Sequence, residues 1–319
     1  MNEFALIQKY FKKLTYNNPS ALDLNDDVFF DKKHKVVVSA DTYVEGVHFL
    51  NFKNPDLVIK KIVRSSISDL YCKGVKPKFI FIGASGNNNS FSKKNLNIIS
   101  KSLKEEQKKY GIKLSGGDTT KSNKTIFTIM SLGYSKRIVQ RNKCKNGDDI
   151  YVTGNMGDSY LGLQILKGKV LLNKKENNYF TKKYYLPNLP INICSNLLNF
   201  ANSSIDISDG LFGDLSKLIN KSVLFYKVEL NKIPISINLR NYLINSKKKK
   251  INFVSKGDDY QIIFTSPKTK RSYIKKFFKK MNQKVTLIGY LTKDAKKNEI
   301  VEGDKRLKHA YNEGYSHNF

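Results

Sequence analysis

The stretch Lys35-Val36-Val37-Val38-Ser39-Ala40-Asp41 is where a reading of this chain begins. Three consecutive valines are stiff at χ1 and favour an extended strand over a helix. The run reads as a strand over Lys35–Ala40 that ends at Asp41. Outward from it, Pro55 opens a helix whose apolar face includes Val58, Ile62 and Leu70, with Gly74 as its stop. Phe79–Ala84 and Thr125–Tyr134 read as strands, and residues 92–109 as a Lys-rich amphipathic helix. Upstream, Phe4, Ile7, Phe11 and Leu14 fall at helical spacing, and a loop follows from Asn17 to Asp27.

The second half continues in this style without an internal repeat. Asp149–Thr153, Ser204–Ile207, Val223–Leu230, Tyr260–Thr265 and Val285–Leu291 read as strands. Ser159–Leu166, Leu211–Asn220 and residues 271–282 read as helices. Strand and helix in both halves of 319 residues predict an α/β (α+β) protein of two domains, residues 1–140 and 141–319. The junction falls where Lys, Asn and Gly collect, between about 135 and 148.

Charge is the unusual quantity: 57 basic side chains against 27 acidic ones, a formal +30. Only six are Arg, at positions 64, 137, 141, 240, 271 and 306, and both halves share the excess. A protein that reads nucleic-acid sequence leans on Arg, so the surplus is read as a solvated lysine surface and no nucleic-acid partner is expected; Lys247–Lys250 reads as an exposed loop. No apolar stretch approaches the roughly 18 residues of a membrane span, so no membrane partner is expected. Met1-Asn2-Glu3-Phe4 lacks a signal-peptide pattern, and the expected location is cytoplasmic. Cys72, Cys144 and Cys194 are too scattered for a zinc site or a disulfide framework.

The acids are 18 Asp and 9 Glu, although Glu is the better helix former. Asp26 and Asp27 are adjacent in a loop, Asp41 ends a strand, and Asp69 lies near the end of a helix. Asp118 follows Gly116 and Gly117, Asp206 and Asp209 bracket Ile207-Ser208, and Asp258-Asp259 follow Gly257. Turns and N-caps produce any one of these, and Asp149, Asp158 and Asp304 are read as only that. Taken together, the clusters supply hard oxygen donors of the kind that hold Mg²⁺ beside substrate phosphates. Neither GxxxxGK[ST] nor a kinase-type GxGxxG is present.

These residues resemble the thiamine-monophosphate kinase family. Asp41-Thr42-Tyr43-Val44-Glu45-Gly46-Val47-His48-Phe49 resembles its D-T-L-V-E-G-x-H-F signature, Asn25-Asp26-Asp27 its GDD, Ser68-Asp69-Leu70 its SDL, and Gly116-Gly117-Asp118-Thr119-Thr120 its GGDTT. Tyr151–Gly154 with Gly157-Asp158-Ser159, Asp206–Leu211, and Gly314-Tyr315-Ser316-His317 match three further motifs in family order, so the likeness spans essentially the whole chain.

The resemblance implies the two-domain aminoimidazole ribonucleotide synthetase-like fold, an N-terminal domain that dimerises, and transfer of phosphate from ATP to thiamine monophosphate to give thiamine diphosphate. It implies several Mg²⁺ ions held by Asp27, Ser39, Ala40 (through its carbonyl), Asp41, Asp69, Asp118, Asp206 and Asp209. It implies ATP contacts at Gly117, Asp118, Arg141 and Ser208, and substrate contacts at His48, Asp258 and Tyr315. No side chain acts as acid or base in this scheme, since the acceptor phosphate is already an anionic nucleophile. Two departures stand out. Asn25 replaces a Gly, a change that Asn tolerates through its acceptance of φ > 0. Lys256-Gly257-Asp258 replaces G-G-E, which shortens the substrate-contacting carboxylate by a methylene and stiffens the loop.

Three rival readings follow from the same residues. Aminoimidazole ribonucleotide synthetase, selenophosphate synthetase and hydrogenase-maturation proteins share the implied fold; the second would need a reactive Cys near the N-terminus, and the first here is Cys72. A basic nucleic-acid-binding protein would account for +30. A catalytically inactive relative acting as a binding module would account for the changes at 256–258.

Overall fold

A computed structural model of the chain describes residues 3–307 and 314–315; the Ser316-His317 end of the last motif lies outside them. The valine run forms a strand, but a longer one than its valines imply. It spans Val36–Val44, and all nine residues pair with Ile126–Tyr134. Thr42, Tyr43 and Val44 are themselves good strand formers, so the strand runs on and Asp41 lies inside it. The first sheet comprises β1 (Phe29–Asp31), β2 (Val36–Val44), β3 (Pro77–Gly86), β4 (Lys113–Lys121) and β5 (Ile126–Tyr134), in the order β1-β2-β5-β3-β4. Only β3 and β4 are parallel, and the helix Lys93–Tyr110 makes their crossover. The segment Gly116-Gly117-Asp118 is therefore part of an edge strand and not a turn.

The second sheet holds β6 (Asp149–Thr153), β7 (Ser203–Asp206), β8 (Phe225–Glu229), β9 (Ile262–Ser266), β10 (Val285–Thr292), β11 (Glu299–Glu302) and β12 (Lys305–Arg306). Their order is β12-β11-β8-β10-β6-β9-β7. Ile150, Val152, Val228 and Ile288 from this sheet pack with Phe212 and Leu215 of the helix Leu211–Leu218.

The helix Pro55–Cys72 joins the halves. It packs on β2 and β5 on one side and on β7 and the helix Lys174–Tyr185 on the other, and 14 of its 18 residues are buried. A helix covered on both sides should be apolar all round. This one instead buries Lys61, Ser65 and Ser68, which fall on one face at i, i+4 and i+7, with Asp69 beside them. Gly74, at φ +78, ends the helix as its sequence predicts.

Among the described residues nothing covers the opposite face of the first sheet. Cross-strand rows Val38–Leu132–Phe79 and Ala40–Met130–Phe81 line it, and Met130 and Tyr134 are exposed. Cys72, Cys144 and Cys194 are free thiols, the first and last buried. Among the described residues no helix is long and apolar enough to cross a membrane.

Candidate active site

Three carboxylates arrive from three separate elements. Asp27 stands in the loop before β1, Asp69 in the last turn of the helix Pro55–Cys72, and Asp206 at the end of β7. One oxygen of each lies within 4.8 Å of the others. Ser39 Oγ donates to Asp69, and Ser68 Oγ donates to Asp206 at 2.5 Å. Tyr43 OH donates to Asp41 at 3.1 Å. Beyond β7 the chain turns at Gly210, where φ is +127 and a Cβ would sit 2.2 Å from the Ser255 carbonyl oxygen, so no side chain fits. Asp214 accepts the backbone N–H groups of Asp209 and Gly210, both at 3.0 Å, and fixes this turn. The Ser208 carbonyl accepts the Asp258 N–H at 2.9 Å, and the Asp209 carbonyl accepts the Tyr315 N–H at 3.0 Å. The motif at 206–211 thereby gathers the loop at 256–260 and the chain near 315.

Charge in the cleft is unbalanced. Burial, opposed by hydrogen bonds from Tyr43 and reinforced by Asp209, pushes Asp41 up to about 6. Burial with Asp214 raises Asp209 to about 6, and burial with Asp214 and Asp41 raises Asp206 to about 7. Burial, then Asp41 and Asp206, hold Asp69 well above the usual carboxylate range. Among the described residues, seven carboxylates (Asp26, Asp27, Asp41, Asp69, Asp206, Asp209, Asp214) meet three cations. Lys73 Nζ lies 2.8 Å from Asp26 and 2.6 Å from Asp27. Arg141 pairs with Asp27 and donates its backbone N–H to Asp26 at 2.9 Å. Lys217 pairs with Asp209 and, at 2.8 Å, with Asp214. Four negative charges stay uncompensated when all seven are ionised, and hard oxygen donors in that state attract divalent cations.

The neighbouring end of the cleft is aromatic and holds a charge-balanced ion pair. Lys61, 1% exposed, pairs with Asp258, lies 3.9 Å from the Tyr184 ring centroid and 5.6 Å from that of Tyr260. Burial pulls the Lys61 pKa down against the pull of Asp258. His48 Nδ1 accepts the Val44 N–H at 3.0 Å, so the neutral ring carries its proton on Nε2; its carbonyl accepts Tyr184 OH at 3.3 Å. The His48 and Tyr43 rings meet edge to face at 5.9 Å.

Asp27, Ser39, Asp41, Asp69, Asp206, Asp209, Ser208 and Arg141 thus converge, with Ala40 between two of them on the uncovered face. Asp258 and His48 adjoin, and Tyr315 is tied in through its backbone with its side chain exposed. Asp118 and Gly117 do not join them. Asp41 heads the row Asp41–Ile129–Ile82–Gly117, whereas Asp118 ends the next row, Thr42–Thr128–Gly83–Asp118. Adjacent rows point to opposite faces, and three strand spacings span roughly 14 Å. Gly117 lies so close to β3 that a Cβ would meet the Ile82 carbonyl oxygen at 2.0 Å. Between β4 and the helix Lys93–Tyr110 lies a mainly apolar cavity of about 520 Å³, lined by Ile82, Leu103 and Phe127 and, on the β4 side, by Gly116, Gly117, Asp118 and Thr119, with no Lys or Arg among its lining residues.

Other expectations need correction. Asn25 takes φ −131, so its tolerance of positive φ is not what lets it replace Gly; its amide bonds Asn220 at 2.9 Å. Asp149 and Asp158 are buried polar anchors, Asp149 for Arg271 at 2.6 Å and Asp158 for Ser236 at 2.6 Å and Tyr179 at 3.0 Å. Sequence reasoning missed Lys61, Lys73, Asp214 and Lys217. The signals were spacings: Lys73 is i+4 from Asp69, Lys61 is i−4 from Ser65, and Lys217 is i+3 from Asp214.

The family described as AIR synthase related protein, N-terminal domain, matches residues 24–134. A thiamine-monophosphate kinase of Buchnera aphidicola subsp. Schizaphis graminum is 35% identical over 317 residues, 96% of this chain and 96% of the relative. One from Haemophilus influenzae is 32% identical over 91% of this chain and 89% of its own length. A solved structure described as AaThiL complexed with AMPPCP and TMP superposes with a TM-score of 0.86 at 25% identity, covering 99% of this chain and 97% of that one.

Proposed function

This chain belongs to the thiamine-monophosphate kinase family, and we propose that it transfers the γ-phosphoryl group of ATP to thiamine monophosphate, giving thiamine diphosphate and ADP. The observation that carries the reading is the convergence of Asp27, Asp69 and Asp206 within 4.8 Å, flanked by Asp41 and Asp209 and short of cations. Such a donor set fits Mg²⁺, and Asp27, Ser39, the Ala40 carbonyl, Asp41, Asp69, Asp206 and Asp209 are the groups that would hold it. When bound, Mg²⁺ supplies the positive charge that lets two phosphate groups approach. An oxygen of the thiamine monophosphate phosphate attacks the γ-phosphorus in line as the bond to the ADP oxygen breaks, and no proton need move. Arg141, Ser208, Gly117 and Asp118 orient ATP in this scheme. His48, Asp258 and Tyr315 orient the thiamine, and the Tyr184 and Tyr260 rings exclude water beside them.

We also infer a homodimer. The uncovered apolar rows of the first sheet and the nine-residue free edge of β4 support it, because such a surface needs a cover. Asp118 then serves the cleft of the second copy. Domains of residues 1–140 and 141–319 follow the two sheets. Three free thiols suit the reducing cytoplasm, and the dispersed lysines give no footprint for nucleic acid.

The test is an ATP- and Mg²⁺-dependent assay for thiamine diphosphate. Wild type should turn over, while Asp41→Asn and Asp209→Asn should fold and lose about 10²–10³-fold, as expected when charge stabilisation of a transfer is removed. A silent wild type with good substrate would sink the reading.

A further inference from the structure

We propose that the Lys73 ammonium is a resident cation that takes the place of one divalent ion at the Asp26–Asp27 end of the cleft. The inference rests on the Mg²⁺ reading above and adds to it a count. Lys73 follows the last turn of the helix Pro55–Cys72 and is fully buried. Its Nζ lies 2.6 Å from an Asp27 oxygen, 2.8 Å from an Asp26 oxygen and 2.8 Å from the Ser204 carbonyl oxygen. An ammonium has three N–H donors; the Ser204 carbonyl accepts one, and the two carboxylates pair with its charge. Two carboxylates and a backbone carbonyl are also the oxygens a hard divalent cation selects.

Position makes the substitution permanent. The helix end sets the Lys73 backbone, which donates to the Leu70 carbonyl at 3.1 Å, and Gly74 turns the chain away immediately after. The other Asp27 oxygen is held by Arg141, so neither oxygen of this carboxylate is idle. A buried carboxylate pair with no counter-charge would be strongly destabilising. Lys73 therefore lets this corner form before any metal arrives and, of the groups that would hold Mg²⁺, gives the place at Asp27 to the ammonium, which leaves metal to the Asp41, Asp69, Asp206 and Asp209 side of the cleft.

Mn²⁺ binding to the nucleotide-free full chain, counted by electron paramagnetic resonance, tests this. Lys73→Met should bind one Mn²⁺ per chain more than wild type, and its thermal midpoint should rise with Mn²⁺ by more than that of wild type does. Lys73→Arg, which keeps a cation, should count as wild type. Lys73→Gln keeps a hydrogen-bonding head without the charge and should also gain an ion. Equal counts in wild type, Lys73→Met and Lys73→Gln would overturn the proposal. So would failure of both neutral variants to fold in Mn²⁺, since no divalent ion would then be standing in for the ammonium. A wild type that binds no Mn²⁺ while Lys73→Met binds one would overturn the metal reading and leave the role of Lys73 standing; no binding by either would remove both.

Discussion

The acidic cleft and the β4 edge are written in the same residues, aspartates set beside Gly, Ser and Thr, yet the chain treats them in opposite ways. Asp206 is 2% exposed, takes a hydrogen bond from Ser68 and shares its cleft with six other carboxylates. Asp118 lies in a strand whose nine residues are all exposed, and among the described residues its side chain accepts a hydrogen bond only from the next residue's backbone, the Thr119 N–H. The cleft raises the energy of its own carboxylates by crowding them out of water, which ligands can reverse. The edge stores nothing in this way, because water already solvates it. The contrast separates two requirements of a phosphate-handling site: groups held in tension within one chain, and groups left presentable to something outside it.

The largest expected effect tests whether that outside partner is a second copy. Asp118→Asn and Asp209→Asn should each lower turnover about 10²–10³-fold. Unfolded and refolded together, the two inactive proteins should regain about a quarter of wild-type turnover, because half of randomly paired dimers are mixed and each mixed dimer has one intact site. No regain on mixing would mean that β4 serves its own chain, and the opposition between cleft and edge would collapse into one site.

Much of this contrast is legible in the order of residues alone, and the part that is not has physical causes. Valines 36–38, Pro55 and Gly74 mark their elements because branching, a fixed φ and a missing Cβ act locally. The helices Lys174–Tyr185 and Ile237–Ser246 escape because few of their side chains are buried (Phe180, Tyr184 and Tyr185 in one, Leu239 and Leu243 in the other), too few to set a clear period. Asp27, Asp69 and Asp206 can be named from their motifs, but their meeting depends on how two sheets grip one helix, which no local rule encodes. Asp118 looks like its companions because sequence does not show which row of a sheet a residue joins. Lys61, Lys73 and Lys217 are hidden by numbers: among 51 lysines, two buried and one half-buried carry no mark except their spacing from an Asp or Ser.

A smaller effect separates the balanced end of the cleft from the unbalanced one. Lys61→Met leaves Asp258 without its partner, and because Asp258 keeps 26% side-chain exposure the cost is about 1–2 kcal/mol, below that of a fully buried pair. The Michaelis constant for thiamine monophosphate should rise about tenfold, since 1.4 kcal/mol is one decade in affinity, with that for ATP within about twofold. Lys61→Arg should recover part of the loss. Equal rises for both substrates would make the pair a structural clasp between the halves and remove the distinction between the two ends.

The smallest effect concerns stability, and there cleft and edge should part most cleanly. Asp41 and Asp209 at about 6 and Asp206 at about 7 all lie above their ordinary 3.8. Between pH of about 4 and 7 the native chain therefore holds more protons than the unfolded chain, and stability falls as pH rises through that window. Without metal, the thermal midpoint should drop by a few degrees from pH 4.5 to pH 7.5, and Mg²⁺ at pH 7.5 should restore it. Asp206→Asn should flatten the slope by removing a group whose ionisation opposes folding, whereas Asp118→Asn, out on the solvated edge, should leave it as it is. If the two variants change the slope equally, crowding of carboxylates is not what distinguishes the cleft, and its aspartates would then be held by position alone, as Asp118 is.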